Sequence, residues 1–272
     1  MNKAEKFKAL HHQSMPFVLP NVWDAGGAYL VESMGFPAIA TTSAGIAYSN
    51  ALPDGSILAI DLIFETIAKI VQAVSLPVTA DIESGYGDIA GSIKKLKILG
   101  VVGANIEDAV GAGLDDLLPF QEAVAAVAAA KAAGGDDFVL NARTDTFLTG
   151  QPDALKLAIE RGNAFVEAGA DCIFIPGAKE KADIATLVKE IPAPINIVAG
   201  LSGTPLSLEE YGACGVKRIS TGGSLMRRCF AALEESLTEM KDNGTFNYAK
   251  AATPDATMNA LMSDRVNTNK LG

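Results

Sequence analysis

The 272-residue chain holds only three cysteines, two histidines and one tryptophan, and the first two scarcities each remove a class of chemistry. Cys172, Cys214 and Cys229 are odd in number and show no C-x-x-C spacing, which excludes a disulfide framework and a zinc knuckle and fits a reducing, cytoplasmic compartment. All three read as small core residues. Both histidines, His11 and His12, precede the first strand-like run, so they are expected on the solvated surface rather than as a base or metal ligand. No lysine stands at the carboxyl end of a strand-like run, since Lys94, Lys95 and Lys97 fall in a helical stretch and Lys217 opens a strand; Schiff-base chemistry is disfavoured. No apolar run approaches the roughly 18 residues of a membrane span, and the charged opening MNKAEKFKAL lacks the apolar centre of a signal peptide, so neither insertion nor export is expected. With 22 basic against 32 acidic residues, the formal net charge of -10 argues against nucleic acid or an anionic membrane as partner. A small anionic substrate would need a local cation, from arginine or metal.

What is present is apolar and regularly spaced. Hydrophobic residues make up 49% of the chain and charged residues 20%, enough to bury a large core. Eight short runs, often β-branched, read as buried strands: 17–19, 38–41, 78–80, 104–106, 138–140, 172–175, 195–198 and 217–220. Helix-like stretches alternate with them, and their apolar runs are uninterrupted, as parallel strands covered on both faces require. Eight such units point to an α/β fold of the (β/α)8 TIM-barrel type. The alternative, an open doubly wound sheet, lacks a G-x-G-x-x-G turn after its first strand. Residues 1–240 are assigned to the barrel and 241–272 to an additional C-terminal helical segment.

In such a barrel the reactive groups sit at the carboxyl ends of the strands. Those ends carry Asn21, Trp23 and Asp24, then Thr42, Ser43 and Gly45, then Asp81 and Glu83, then Glu107 and Asp108, and finally Arg143 and Asp145. Four carboxylates on two adjacent strands repel one another, and a bound divalent cation relieves them. Oxygen-only ligands favour Mg²⁺ or Mn²⁺ over Zn²⁺. The plainer alternatives are that Asp81 and Glu83 cap the next helix and that Arg143 is a structural partner of Asp145. At a barrel mouth, a guanidinium suits a two-pronged grip on a substrate carboxylate.

The series NVWDAGGAYLVESMGFPAIATTSAGIAYSNALPDG, TADIESGYGD, GANIEDAVG and NARTD resembles the isocitrate lyase and phosphoenolpyruvate mutase superfamily across essentially the whole barrel. The resemblance implies that Ser43, Ala44 and Gly45 present amides and a hydroxyl to the substrate, and that Asp81 is the closest protein ligand of Mg²⁺. It implies further that Asp54, Glu83 and Glu107 hold metal-bound waters, that Trp23 lines the pocket, and that Arg143 contacts substrate. Similar proteins form homotetramers in which the C-terminal helix is exchanged between neighbouring subunits. One departure stands out: isocitrate and methylisocitrate lyases carry a K-K-C-G-H segment whose cysteine is the catalytic acid, and here that place reads IEDAVGAGLDDLLPF. The mutase's K-N-S version is missing as well.

These features lead to the expectation of a Mg²⁺-dependent lyase that cleaves a carbon–carbon bond of a small 2-oxo or 2-hydroxy diacid, oxaloacetate-like, through an enolate. Asp54, Glu107 and Arg143 are the expected catalytic groups. Phosphonopyruvate-type phosphorus–carbon chemistry and a non-catalytic, Mg²⁺-dependent 2-oxo acid binder remain alternatives. Tyr48 and Ser202 are candidate proton donors.

Overall fold

The computed structural model describes residues 1–56, 60–110, 116–201 and 205–269; Ser202 and the centre of the loop after Val110 lie outside them. Its strands are β1 (Phe17–Leu19), β2 (Asn21–Val22), β3 (Ile39–Thr41), β4 (Val78–Asp81), β5 (Gly103–Glu107), β6 (Ala109–Val110), β7 (Asp116–Leu117), β8 (Val139–Arg143), β9 (Cys172–Phe174), β10 (Ile195–Val198) and β11 (Arg218–Ser220). Nine of them form one all-parallel sheet in the order β1, β11, β10, β9, β8, β5, β4, β3, β2. Its two ends are consecutive in sequence, separated by Pro20 alone. Proline lacks the N–H that a continuous ladder needs, so the stave changes partner there: residues 17–19 pair with β11, residues 21–22 with β3, and the Pro20 carbonyl accepts from Ala40 N at 3.0 Å. Nine hydrogen-bonded segments thus make eight staves, and the interrupted stave completes the ring. β6 and β7 form a small antiparallel pair beside it.

Because successive side chains alternate faces, each stave divides its residues between an inside and an outside. Outward residues such as Ala80, Ala104, Leu140, Ile173, Ile197 and Ile219 join the largest apolar core with helices α4 (Ile60–Ala73), α5 (Ile89–Ile98), α6 (Phe120–Gly134), α7 (Ala154–Glu167) and α8 (Lys181–Glu190). Helix α2 (Ala25–Ser33) packs Ala28 and Val31 against Val22 and Ile39, and α9 (Leu208–Ala213) buries Tyr211. The amino-terminal end of the barrel is closed by helix α1 (Lys3–Leu10), before the first strand, started by a reciprocal cap between Asn2 and Glu5. Its Phe7 packs with Phe17, Leu19, Ala38, Ala40, Val102 and Val139.

That closing helix overturns one expectation. His11 stands one helical turn after Phe7, so both face the barrel floor. It is only 3% exposed and lies between the rings of Phe7 and Phe17 at 5.0 and 4.9 Å, and its Nδ1–H donates to the Phe7 carbonyl at 2.9 Å. Burial, aided by nearby Arg218, pushes its pKa down to about 3. His12 is exposed, as expected. The cysteines also divide: Cys172 is buried, Cys214 half-buried and Cys229 exposed. Cys229 belongs to α10 (Ser224–Asn243), which leaves the barrel wall after Met226 and has only exposed or half-buried residues from there on. This helix runs across the boundary expected at residue 240. After it, α11 (Asp255–Asn269) lies against α2 of the same chain, and Arg265 donates to the carbonyls of Gln72 and Ala73. Among the described residues no helix is long and apolar enough to cross a membrane.

Candidate active site

A cleft of about 270 Å³ opens at the carboxyl ends of the staves. Its acidic wall is built by Asp81 at the end of β4 and Asp54 in the segment after β3, with Arg143 at the end of β8 beside them. After β3 the chain turns straight into a short helix, α3 (Ser43–Ser49), capped by Thr42, whose side chain accepts from Gly45 N at 3.2 Å. The cap aims the first residue of that helix across at β4. Ser43 donates both its amide, at 3.2 Å, and its hydroxyl, at 3.0 Å, to Asp81 Oδ2. Asp54 completes the cluster, with its Oδ1 3.4 Å from the same hydroxyl.

Asp81 is therefore half satisfied. Oδ2 accepts two bonds, while Oδ1 is buried with no hydrogen-bond partner, an arrangement that costs free energy unless something cationic or a donor meets it. Around it negative charge accumulates. Burial raises Glu83 to about 7, reinforced by Asp81 and Asp54; burial and Asp81 also raise Asp54. The Glu83 carboxylate is carried on a turn with unusual backbone: Glu83, Gly85, Tyr86 and Gly87 all have positive φ, between 52° and 89°. Such left-handed conformations in non-glycine residues are costly and cluster at functional sites. Gly85 is required by contact as well as by conformation, because a Cβ there would come within 2.5 Å of Ile89 Cγ1.

Arg143, in register with Glu107, pairs through Nη1 with Glu107 Oε2 at 2.7 Å and through Nε with Asp145 Oδ1 at 2.8 Å. Burial disfavours its charge, but Glu107, Asp145 and Asp81 more than offset that and raise its pKa. Glu107 is itself raised by burial, against the pull of Arg143. Arg143 still lines the cleft, so the structural pairing and an exposed edge coexist.

The structure brings Ser43, Ala44, Asp54, Asp81 and Arg143 to this cleft, with Glu83 and Glu107 in electrostatic reach of Asp81. It does not bring all the expected residues there. The Gly45 amide is committed to Thr42, and Gly45 has no side chain because Thr42 and Trp23 pack against its Cα; Trp23 itself joins the core beside it. Asp108 turns away from the carboxylate cluster into a buried pair with Arg161 Nη1 at 3.0 Å, and accepts from Asp145 N at 2.9 Å. Asp24 caps α2 by accepting from Gly27 N. Tyr48 lines the cleft.

Sequence reasoning missed Asn105, Phe174 and Arg227 as cleft residues, and Arg161 as the partner of Asp108. Asn105 was within reach of the period-two rule, because it stands two before Glu107 and so shares its inward face. Arg161 and Arg227 lie on helices, where no comparable rule points them at the mouth.

The residues present fit a divalent cation held largely through water. Among the described residues no three acidic, histidine or cysteine side chains converge tightly enough to ligate one ion together. Among the described residues two buried carboxylate oxygens have no partner, Asp81 Oδ1 and Asp145 Oδ2, and of these two residues only Asp81 lines the cleft; Mg²⁺ commonly takes one or two protein carboxylates and keeps several waters.

Comparison with known proteins agrees with the geometry. The phosphoenolpyruvate phosphomutase family matches residues 7–241. A solved protein of Burkholderia cenocepacia J2315, assigned provisionally as a lyase/mutase, superimposes with a TM-score of 0.90 at 40% identity, covering 96% of this chain and 95% of its own. An oxaloacetate acetylhydrolase in complex with its product oxalate gives 0.86 at 25% identity, covering 100% and 99%. A phosphonopyruvate hydrolase in complex with oxalate and Mg²⁺ gives 0.86 at 26% identity, covering 99% and 98%.

Proposed function

Because the chain belongs to the phosphoenolpyruvate phosphomutase family, we propose that it is a Mg²⁺-dependent lyase that cleaves a carbon–carbon bond of a small, oxaloacetate-like 2-oxo or 2-hydroxy diacid. The observation that carries this reading is Asp81, whose Oδ2 is fixed by two bonds from Ser43 and whose Oδ1 is left free and buried at the cleft. In this reading Asp81 is the direct ligand, while Asp54, Glu83 and Glu107 hold the ion's waters. When bound, the ion supplies Lewis acidity toward the substrate's 2-oxo oxygen.

The chain's own residues do the rest. Arg143, fixed on one side by Glu107 and Asp145, presents its remaining edge to a substrate carboxylate and stabilises negative charge as it develops. In a 2-oxo diacid the bond from carbon 3 to its carboxylate breaks, carbon dioxide leaves, and the electron pair moves through carbon 3 toward the 2-oxo oxygen. In a 2-hydroxy diacid the hydroxyl proton passes to a cleft carboxylate, the bond between carbons 2 and 3 breaks, carbon 2 becomes the 2-oxo carbon, and the pair goes to carbon 3 beside its carboxylate. In both, carbon 3 then takes up a proton. Leu148, Phe174, Pro176 and Val198 also line the cleft and offer an apolar surface to the carbon skeleton. Tyr48, which lines the cleft, and Ser202, which lies outside the described residues, are the two candidate proton donors. The three unpaired cysteines fit a cytoplasmic setting. On α10 the exposed Phe230, Leu233 and Leu237 offer an apolar stripe for a second copy in the homotetramer that the family resemblance implies.

The test is release of a 2-oxo acid from a panel of diacids, including oxaloacetate and alkyl-substituted malates, with and without Mg²⁺. Metal-dependent release supports the reading. Phosphate released from phosphonopyruvate instead would move the assignment to phosphorus–carbon cleavage, and metal-dependent binding with no turnover on any compound would leave a binding protein.

A further inference from the structure

Inside the barrel, beside Asp81 and two residues before Glu107 on its strand, lies a polar group that the reading above does not use. Asn105 is in register with Asp81 on one side and Asn141 on the other. Its side-chain oxygen is engaged twice, by Asn141 Nδ2 at 2.6 Å and by Arg218 Nη2 at 3.2 Å. Arg218 is fully buried over the Phe7 ring, and its Nε and Nη1 have no hydrogen-bond partner. Among the described residues it makes no ion pair at 4.0 Å or less.

This arrangement removes the usual ambiguity of an amide. A guanidinium has donors and no acceptor, so the Asn105 atom facing it must be oxygen. That oxygen in turn obliges Asn141 to present its NH₂ group. The Asn105 NH₂ group therefore points away from the floor, and Asn105 lines the cleft. Both donors also polarise the amide, and a cation in a low-dielectric interior does so strongly.

We infer that Asn105 is a substrate-binding donor that takes an oxygen of a compact oxyanion with oxygens on adjacent carbons, and that Arg218 is its positioning residue. The inference rests on the proposed metal and oxo-acid site and deepens it. Such a ligand spans two adjacent staves: one oxygen lies on the acidic Asp81 side, where a cation is needed, and another on the Asn105 side, where an N–H waits with a positive charge behind it. A ligand with a single oxygen would leave one of the two unmet. Oxalate and 2-oxo acids have the required pair.

Calorimetric titration of oxalate into the full chain at saturating Mg²⁺ tests this, alongside titration of Mg²⁺ alone. Asn105→Ala is expected to weaken oxalate binding by about 10- to 100-fold, the effect of losing a hydrogen bond to a charged group, with Mg²⁺ affinity unchanged. Asn105→Asp keeps the shape and pairs with Arg218, and it should weaken oxalate at least as much by repulsion; it carries the test if the alanine variant does not retain the melting transition of the unmodified chain. Arg218→Met should weaken oxalate several-fold in the presence of Asn105 and have no further effect in the Asn105→Ala background. Equal losses in both backgrounds would make Arg218 merely structural and overturn the positioning role. Oxalate affinity within twofold of the unmodified chain in either folded Asn105 variant overturns the inference while the metal reading stands; no oxalate binding by the unmodified chain overturns both.

Discussion

Two arginines lie inside the barrel, and their surroundings are opposite. Arg143, at the mouth, pairs with two carboxylates at 2.7 and 2.8 Å, and its pKa is raised. Arg218, at the floor, meets one amide oxygen; burial lowers its pKa to about 10, against the raising effects of Cys172 and Asp81. The mouth therefore holds acid in excess of base, since Asp81, Asp54 and Glu83 remain after Arg143 is committed, while the floor holds a cation with no carboxylate at ion-pair distance among the described residues. A buried charge is tolerated when hydrogen bonds or opposite charge compensate it. The mouth is left needing a cation and the floor an anion, and a metal-bound oxo acid brings one of each.

The comparison is broken most directly by stability measurements on the two arginines. Arg143→Met strands Glu107 and Asp145 and is expected to cost about 3–5 kcal/mol in chemical denaturation, the usual effect of removing one partner of a buried pair. Arg218→Met strands no carboxylate and replaces a poorly satisfied cation with an apolar chain of similar size, so stability within about 1 kcal/mol of the unmodified chain is expected. Equal losses would show that the two sites are not electrostatically different.

A second test sharpens the role of the mouth. Arg143→Lys keeps a charge but not the planar fork, so substrate-analogue binding should fall by about 10- to 100-fold while Mg²⁺ affinity stays within threefold, both read by calorimetry. Loss of Mg²⁺ binding instead would assign Arg143 to the metal.

The third concerns the floor through His11. The unfolded histidine takes up a proton below its ordinary pKa of 6.5, whereas the folded one stays neutral to about 3. Its contribution to stability is thus full above pH 6.5 and declines as pH falls from there toward 3. His11→Phe should flatten the stability profile over that interval, at the cost of the bond to the Phe7 carbonyl. An unchanged slope would mean that His11 becomes charged in the folded state beside Arg218.

Much of this organisation could be read before any coordinates. The staves announce themselves because parallel strands buried on both faces need unbroken apolar runs, and the eight expected runs each overlap a strand, seven of them with ends within a residue and the fifth, 138–140, ending three residues short of Arg143. The interrupted first stave was half visible: Phe17–Leu19 is apolar, but Asn21–Val22 is too short to show a period. At the mouth, Asp81, Asp54 and Arg143 were legible from strand-end position and motif resemblance together. The destination of Asp108 was not, because a carboxylate at a strand end looks the same whether it turns inward or meets an arginine 53 residues later on a helix. His11 was misread for the same reason: burial of a residue outside the barrel pattern depends on where its helix docks, and no local period encodes that.

The claim beneath all of this is that Asp81 Oδ1 is the oxygen that meets the cation. Titrating Mn²⁺ into the chain and its Asp81→Asn variant, and counting bound ion by electron paramagnetic resonance, addresses it directly. One ion per chain is expected for the unmodified protein, with binding weakened at least 100-fold in Asp81→Asn at an unchanged melting transition. Undiminished Mn²⁺ binding by the folded variant would contradict the account and return Asp81 to a partner of Ser43 alone.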